Sequence, residues 1–175
     1  MYIQVKDELP EMNKNSSLLD LHGTGYCASF NFRRTARAVT RLYDLALQES
    51  GIRSTQFAIL VAVAKNQPVA IGALGELLVI DSTTLTRSLR LLQKVGLVAI
   101  SNRAAKRQRF LSITGKGEHT LARALPAWRK AQERFEATIG SEYWVELRSE
   151  LERLAQVAVG LEKPEKVVSA QTSSQ

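Results

Sequence analysis

Apolar positions recur every three or four residues through most of the chain, a period that predicts helices. Across residues 26–48, Phe32, Ala36, Val39, Tyr43 and Ala46 share one face. Gly51 is placed to stop that helix. Ser54 or Thr55 is placed to cap a second, with Phe57, Leu60, Val61 and Ala64 as its stripe and Asn66-Gln67-Pro68 as its end. Two shorter helices follow. Residues 71–79 are apolar along Leu74, Leu77 and Leu78, and Asp81 or Ser82 caps a segment carrying Leu85, Leu89, Leu92 and Val95 up to Gly96. Only Ile80 and the capping residue separate the two, so the chain must turn sharply there, as in a helix-turn-helix.

The texture changes at Leu97. Residues 97–100 and 110–113 are short, partly β-branched runs that predict two strands. The polar loop between them carries Arg103, Lys106, Arg107 and Arg109 and no acid, so the hairpin reads as a wing. The helical period returns at Thr114 with Leu121, Leu125, Trp128, Ala131 and Phe135, in a long helix bent at Pro126. Gly140 ends it and Ser141 caps another. There Trp144, Leu147, Leu151, Leu154, Ala158 and Leu161 alternate in steps of three and four, a narrow heptad seam.

The expected fold is therefore mainly α, a winged helix-turn-helix with a short β-hairpin wing and a dimerisation region from the N- and C-terminal helices. Residues 1–20 form a flexible arm and 163–175, rich in Ser, Gln and Thr, a disordered tail. Within the domain of residues 21–162, the DNA-binding lobe covers about 54–113 and the dimerisation helices about 26–49 and 114–161.

Composition narrows the chemistry. In 175 residues, 24 Lys and Arg oppose 17 Asp and Glu, a net charge of +7 that favours a polyanionic partner. No apolar run approaches the roughly 18 residues of a membrane helix, and the first ten residues do not read as a signal peptide. The single cysteine, Cys27, cannot form an intramolecular disulfide, which suits a reduced cytoplasm. His22 and His119 lack zinc-type spacing, and no nucleophile elbow or Walker loop is present. Gly23-Thr24-Gly25-Tyr26-Cys27-Ala28 matches a dinucleotide loop in letters, but without the strand that must precede it. No enzyme, catalytic residue, cofactor, metal or membrane partner is expected.

The chemistry that does assemble runs from residue 71 to 114. A helix that enters the major groove needs short polar side chains in its first turns and apolar ones behind. Ser82, Thr83, Thr84, Thr86, Arg87 and Arg90 interleave with the leucines in that way. Arg87 carries the forked donors that suit guanine O6 and N7, Arg90 is placed for phosphate, and the hydroxyls reach phosphate or base edges. The wing cations, crowded without a carboxylate, suit phosphates or the minor groove. The rival reading is a helical protein–protein adaptor whose basic loop docks an acidic partner.

These residues carry a resemblance. Asp81-Ser82-Thr83-Thr84-Leu85-Thr86-Arg87 and Leu91-Leu92-Gln93-Lys94-Val95-Gly96-Leu97-Val98 resemble the recognition-helix and first-wing-strand signature of the MarR family of bacterial transcriptional regulators. Leu111-Ser112-Ile113-Thr114-Gly115-Lys116-Gly117 is similar to the stretch that follows the family's wing. The resemblance covers roughly residues 26–161. It implies a homodimer on a pseudo-palindromic double-stranded operator, with recognition helices in successive major grooves, wings in flanking minor grooves, and repression by promoter occupancy. One departure stands out: Ala105-Lys106-Arg107 occupies the place of the family's Asp-x-Arg, so Arg107 lacks its usual orienting acid.

The resemblance also implies control by a small aromatic effector, for which Phe30, Phe57 and Trp128 could line a cleft, or by oxidation of Cys27. Cys27 stands at the start of the first helix, where the backbone dipole favours a thiolate; a small hydrophobe packed in a dimer core is the plainer reading. The seam from Trp144 to Leu161 is either a dimer interface or is buried within the chain. Arg33, Arg37 and Arg41, four apart with Arg34 beside them, are a solvated face with local pairs such as Arg41–Asp44, or face acids across a dimer, or an anionic effector.

Overall fold

The computed structural model describes residues 21, 23–103 and 108–162. The chain divides into two compact units, residues 1–41 and 42–175. In the first, a 3₁₀ turn at Thr24–Tyr26 leads into α1 (Ala28–Leu47), whose last turns belong to the second unit. Residues 28–38 are exposed on every side, Phe30 and Phe32 included.

The second unit continues through α2 (Ser54–Asn66), β1 (Val69–Ala70), α3 (Ile71–Leu78) and α4 (Ser82–Lys94). The strands β2 (Val98–Arg103) and β3 (Gln108–Ile113) and the helices α5 (Gly115–Ile139) and α6 (Ser141–Leu161) complete it. Its core draws on nearly every element: Leu47, Phe57, Leu60, Val63, Leu74, Leu85, Leu89, Leu92, Val98, Leu111 and Ala124 are all buried. The expected stripe of α2 is corrected here. Ile59, Ala62 and Val63 are buried with Phe57 and Leu60, while Val61 and Ala64 are half-buried. A helix apolar around most of its circumference has elements packed on more than one side.

Three strands form where two were expected, in the antiparallel order β1-β3-β2. β1 has two residues, too few to show a period, yet it pairs Val69 with Leu111 and Ala70 with Phe110. On the other side Val98 faces Ile113, and the register runs out to Arg103 opposite Gln108. Gln67 completes this edge, its side-chain oxygen accepting the Ile113 amide at 2.9 Å.

Helix starts differ from the expected caps in two places, α2 and α6. Arg53 precedes α2, and its amide donates to Gln56 Oε1 at 2.9 Å. Ser54 is instead held from outside: its amide and hydroxyl both donate to Asp44 Oδ1 at 2.7 Å. Those bonds, the amide foremost, hold the Asp44 carboxyl below the ordinary aspartate range. Asp44 also meets Arg53, at 3.4 Å, rather than serving as the local partner expected for Arg41. Gly140, not Ser141, occupies the cap position of α6, which has no side-chain cap.

The base of the wing is fixed by Thr114. Its hydroxyl donates to Gly96 O at 2.6 Å and accepts the Gly117 amide at 3.0 Å, tying the end of α4 to the first turn of α5. Gly117 allows that approach: a Cβ there would lie 2.1 Å from Leu97 O and 2.6 Å from Ile113 Cγ1.

Candidate nucleic-acid interface

The sharp turn between α3 and α4 depends on a close approach. A Cβ on Gly75 would stand 3.2 Å from Ile80 O and 3.4 Å from Leu85 Cδ2, and the Ile80 amide donates to Gly75 O at 2.9 Å. Val79 takes the left-handed conformation there, at φ 50° and ψ 48°, uncommon for a β-branched residue. α4 then begins at a cap made by Asp81, whose Oδ1 accepts the amides of Thr83 at 3.0 Å and Thr84 at 2.9 Å. These bonds, Thr84 first, hold the Asp81 carboxyl below its usual range. With Asp81 as the cap, the hydroxyl of Ser82 is left out of capping and stands exposed in the first turn.

One face of α4 is anchored by Leu85, Leu89 and Leu92, each at most 2% exposed. The opposite face carries Thr83, Arg87, Arg90 and Lys94, spaced by four, three and four residues and all exposed. Thr84 is also exposed and Thr86 half-buried, to either side of that row. Lys94 was not among the expected contacts; its position seven beyond Arg87 and eleven beyond Thr83 is the signal that places it there. Lys116 serves the frame instead, donating to Val95 O at 2.8 Å.

Of the wing cations, Arg109 is exposed on β3 opposite Asn102, and Arg103 is the last residue of β2. Lys106 and Arg107 lie outside the described residues, as do the expected arm of residues 1–20 and the tail of 163–175. Only two ion pairs form among the described residues, Arg53–Asp44 and Arg153–Glu150. Arg87, Arg90 and Arg109 therefore form no ion pair among the described residues.

A cavity of about 490 Å³ lies beside α2, lined by Tyr43, Phe57, Val61, Lys65, Leu77 and Trp128 among others. Phe57 and Trp128 stack with ring centroids 5.7 Å apart, so two of the three residues expected around a cleft come together. Phe30, on the first turn of α1, is 59% exposed and is not one of the lining residues. A polar relay borders the cavity: Tyr43 donates to Gln132 Oε1, and Gln132 donates to Glu136 at 2.7 Å. Burial, aided by the Glu136 charge, pushes the Tyr43 hydroxyl up from its ordinary pKa.

The seam on α6 is split. Trp144 and Leu147 are half-buried, and Trp144 meets Phe135 of α5 edge-on at 5.5 Å. Farther along, Leu151, Leu154, Ala158 and Leu161 are exposed. Cys27 is an exposed free thiol just before α1, and its carbonyl accepts the amide and side chain of Asn31.

Comparison with known proteins places this geometry. A family model described as "MarR family" matches residues 50–108, which span α2 through the start of β3. The transcriptional regulator HosA of Escherichia coli O127:H6 is 34% identical over 111 residues, 63% of this chain and 77% of that protein. The chain belongs to the MarR family. Transcriptional regulators of MarR type share its mainly helical winged fold. The Mycobacterium tuberculosis regulator MosR, solved in complex with DNA, superposes with a TM-score of 0.71 at 32% identity. That match covers 78% of this chain and 99% of MosR. PcaV of Streptomyces coelicolor, solved with its natural ligand, shares the fold at 20% identity and a TM-score of 0.69, over 82% of this chain and 99% of PcaV. No helix among the described residues is long and apolar enough to cross a membrane.

Proposed function

We propose that this MarR-type regulator binds double-stranded DNA as a homodimer, on a pseudo-palindromic operator, and represses by occupying the promoter. The observation that carries this is the face of α4. Thr83, Arg87, Arg90 and Lys94 stand in one row, its cations in no ion pair among the described residues, on a helix fixed from behind by buried leucines. Arg87 and the hydroxyls of Ser82, Thr83, Thr84 and Thr86 read base edges. Arg90 with the wing residues Arg103, Lys106, Arg107 and Arg109 meets phosphates and the minor groove. Solved DNA complexes of MosR and of Staphylococcus aureus MepR support the choice of partner.

The dimer rests on the apolar strip of α6 that the described residues leave open: Leu151, Leu154, Ala158 and Leu161, continuing from Trp144 and Leu147. A pair of recognition helices then meets half-sites about 10 base pairs apart. Relief of repression comes from an aromatic effector in the cavity at Phe57 and Trp128, or from oxidation of the exposed Cys27 thiol. Either acts by favouring a dimer whose recognition helices are wrongly spaced.

Selection of bound duplexes from a random pool, followed by gel shifts at two salt concentrations, tests the reading. Enriched inverted repeats and a steep salt dependence are expected. Arg87→Ala should cost about 1–3 kcal/mol and relax preference at one position, whereas Arg90→Ala should weaken all sequences alike and reduce the salt slope by about one. A pool that emerges unenriched, bound no better than an acidic heteropolymer, contradicts it.

A further inference from the structure

The described part of residues 1–41 contains Arg33, Arg34, Arg37 and Arg41 and no acid. Its α1 segment is exposed all round over residues 28–38, with Phe30 59% and Phe32 46% exposed. A polar helix that also exposes aromatic side chains on all sides has surface for a partner. α6 is its complement. It has no buried residue, and Glu142, Glu146 and Glu150 recur at four-residue steps, all exposed. Four residues advance a helix by about 6 Å, so the Arg33–Arg37–Arg41 row and the Glu142–Glu146–Glu150 row have the same repeat. Glu150 is held by Arg153 at 2.7 Å, whereas Glu142, Glu146 and the α1 arginines make no ion pair among the described residues.

We propose that Arg33 and Arg37 of α1 dock on Glu142 and Glu146 of α6 in a second copy of this chain, and that this contact selects the partner. The inference rests on the homodimer reading and adds to its apolar seam a charged element that sets which chains pair. Matched charges at an interface chiefly suppress wrong partners and fix register, and like charges in the same places oppose pairing.

Two charge-reversed chains separate the possibilities, R33E/R37E and E142R/E146R, each analysed by sedimentation alone and mixed, at low and high salt. The wild type is expected to dimerise, with an affinity that falls as salt rises. Each variant alone is expected to dimerise at least about tenfold more weakly at low salt, because its two rows then carry one sign. Mixed, the variants should form a heterodimer at wild-type affinity, since both symmetric contacts regain opposite charges. Circular dichroism of each variant checks that its helices are retained. Variants that self-associate like the wild type, or a mixture that shows no preference for the heterodimer, overturn the ionic contact and leave the dimer standing. A wild type that stays monomeric overturns the dimer reading itself.

Discussion

Two helices of this chain carry leucines at the same helical spacing and meet opposite fates. On α4, Leu85, Leu89 and Leu92 are at most 2% exposed, clamped by the core beneath. On α6, Leu151, Leu154 and Leu161 are 39%, 37% and 81% exposed. The difference lies in what surrounds each helix. α4 is held by a three-residue turn from α3 and by β2 soon after it, so its apolar face has nowhere to go but inward. α6 follows α5 after Gly140 alone and meets it through Trp144 and Phe135, and farther along only Val159 is half-buried among exposed neighbours. The leucines of α4 are covered within one chain, whereas those toward the end of α6 stay exposed among the described residues. Apolar spacing specifies a face; topology decides whether one chain can cover it.

Substitution at equivalent leucines breaks the comparison most sharply. Leu89→Ala should destabilise the folded chain by about 2–5 kcal/mol in denaturant unfolding of the monomeric form. Leu154→Lys should leave that unfolding within about 0.5 kcal/mol and abolish self-association in sedimentation. Equal loss of monomer stability in both variants would mean that α6 is an intrachain core element.

The junction between the lobe and α5 gives the next effect. Gly117→Ala drives a methyl group against Leu97 O and should cost about 1–3 kcal/mol, whereas Gly115, with open space around it, should accept alanine with little change. Thermal melting of the two variants compares them.

Acid reaches the lobe through its two bonded aspartates. Asp44 and Asp81 are both held below the ordinary value in the folded chain, so their stabilisation is complete above the unfolded pKa of about 3.9. It is lost as pH falls from there through the folded values, because the unfolded chain then binds the proton first. Wild-type stability should therefore drop across that window, and Asp81→Asn should flatten part of the drop. A variant with an unchanged slope would show that the Asp81 carboxylate contributes nothing as a cap.

The smallest effect lies in the turn. Val79→Gly relieves a left-handed β-branched residue and should raise stability by about 0.5–1 kcal/mol after the added freedom of the unfolded chain is offset. A fall in melting temperature on that change would show that the Val79 side chain is held by packing.

Much of this architecture was legible in the residues. The leucines of α4 and the polar first turn ahead of them placed the helix-turn-helix, and the crowded cations between two short strands placed the wing. What stayed hidden depended on partners distant in sequence. β1 is two residues long and exists through Leu111 and Phe110. Ser54 is of a type that favours caps, yet Asp44, ten residues earlier, holds it instead. Phe57 and Trp128, expected around a cleft, do stack, while Tyr43, expected only in a helix stripe, lines the same cavity. Lys94 lies in the last turn of α4, beyond the polar first turns that mark a recognition helix, although its spacing from Arg87 puts it in the same row.

The proposed function requires two chains gripping one duplex. Sedimentation of the purified protein with a selected duplex reports the mass of the complex directly. Two protomers per duplex, reduced to weak single-protomer binding by Leu154→Lys, is the predicted result. One protomer per duplex at full affinity, unchanged by that substitution, would contradict it.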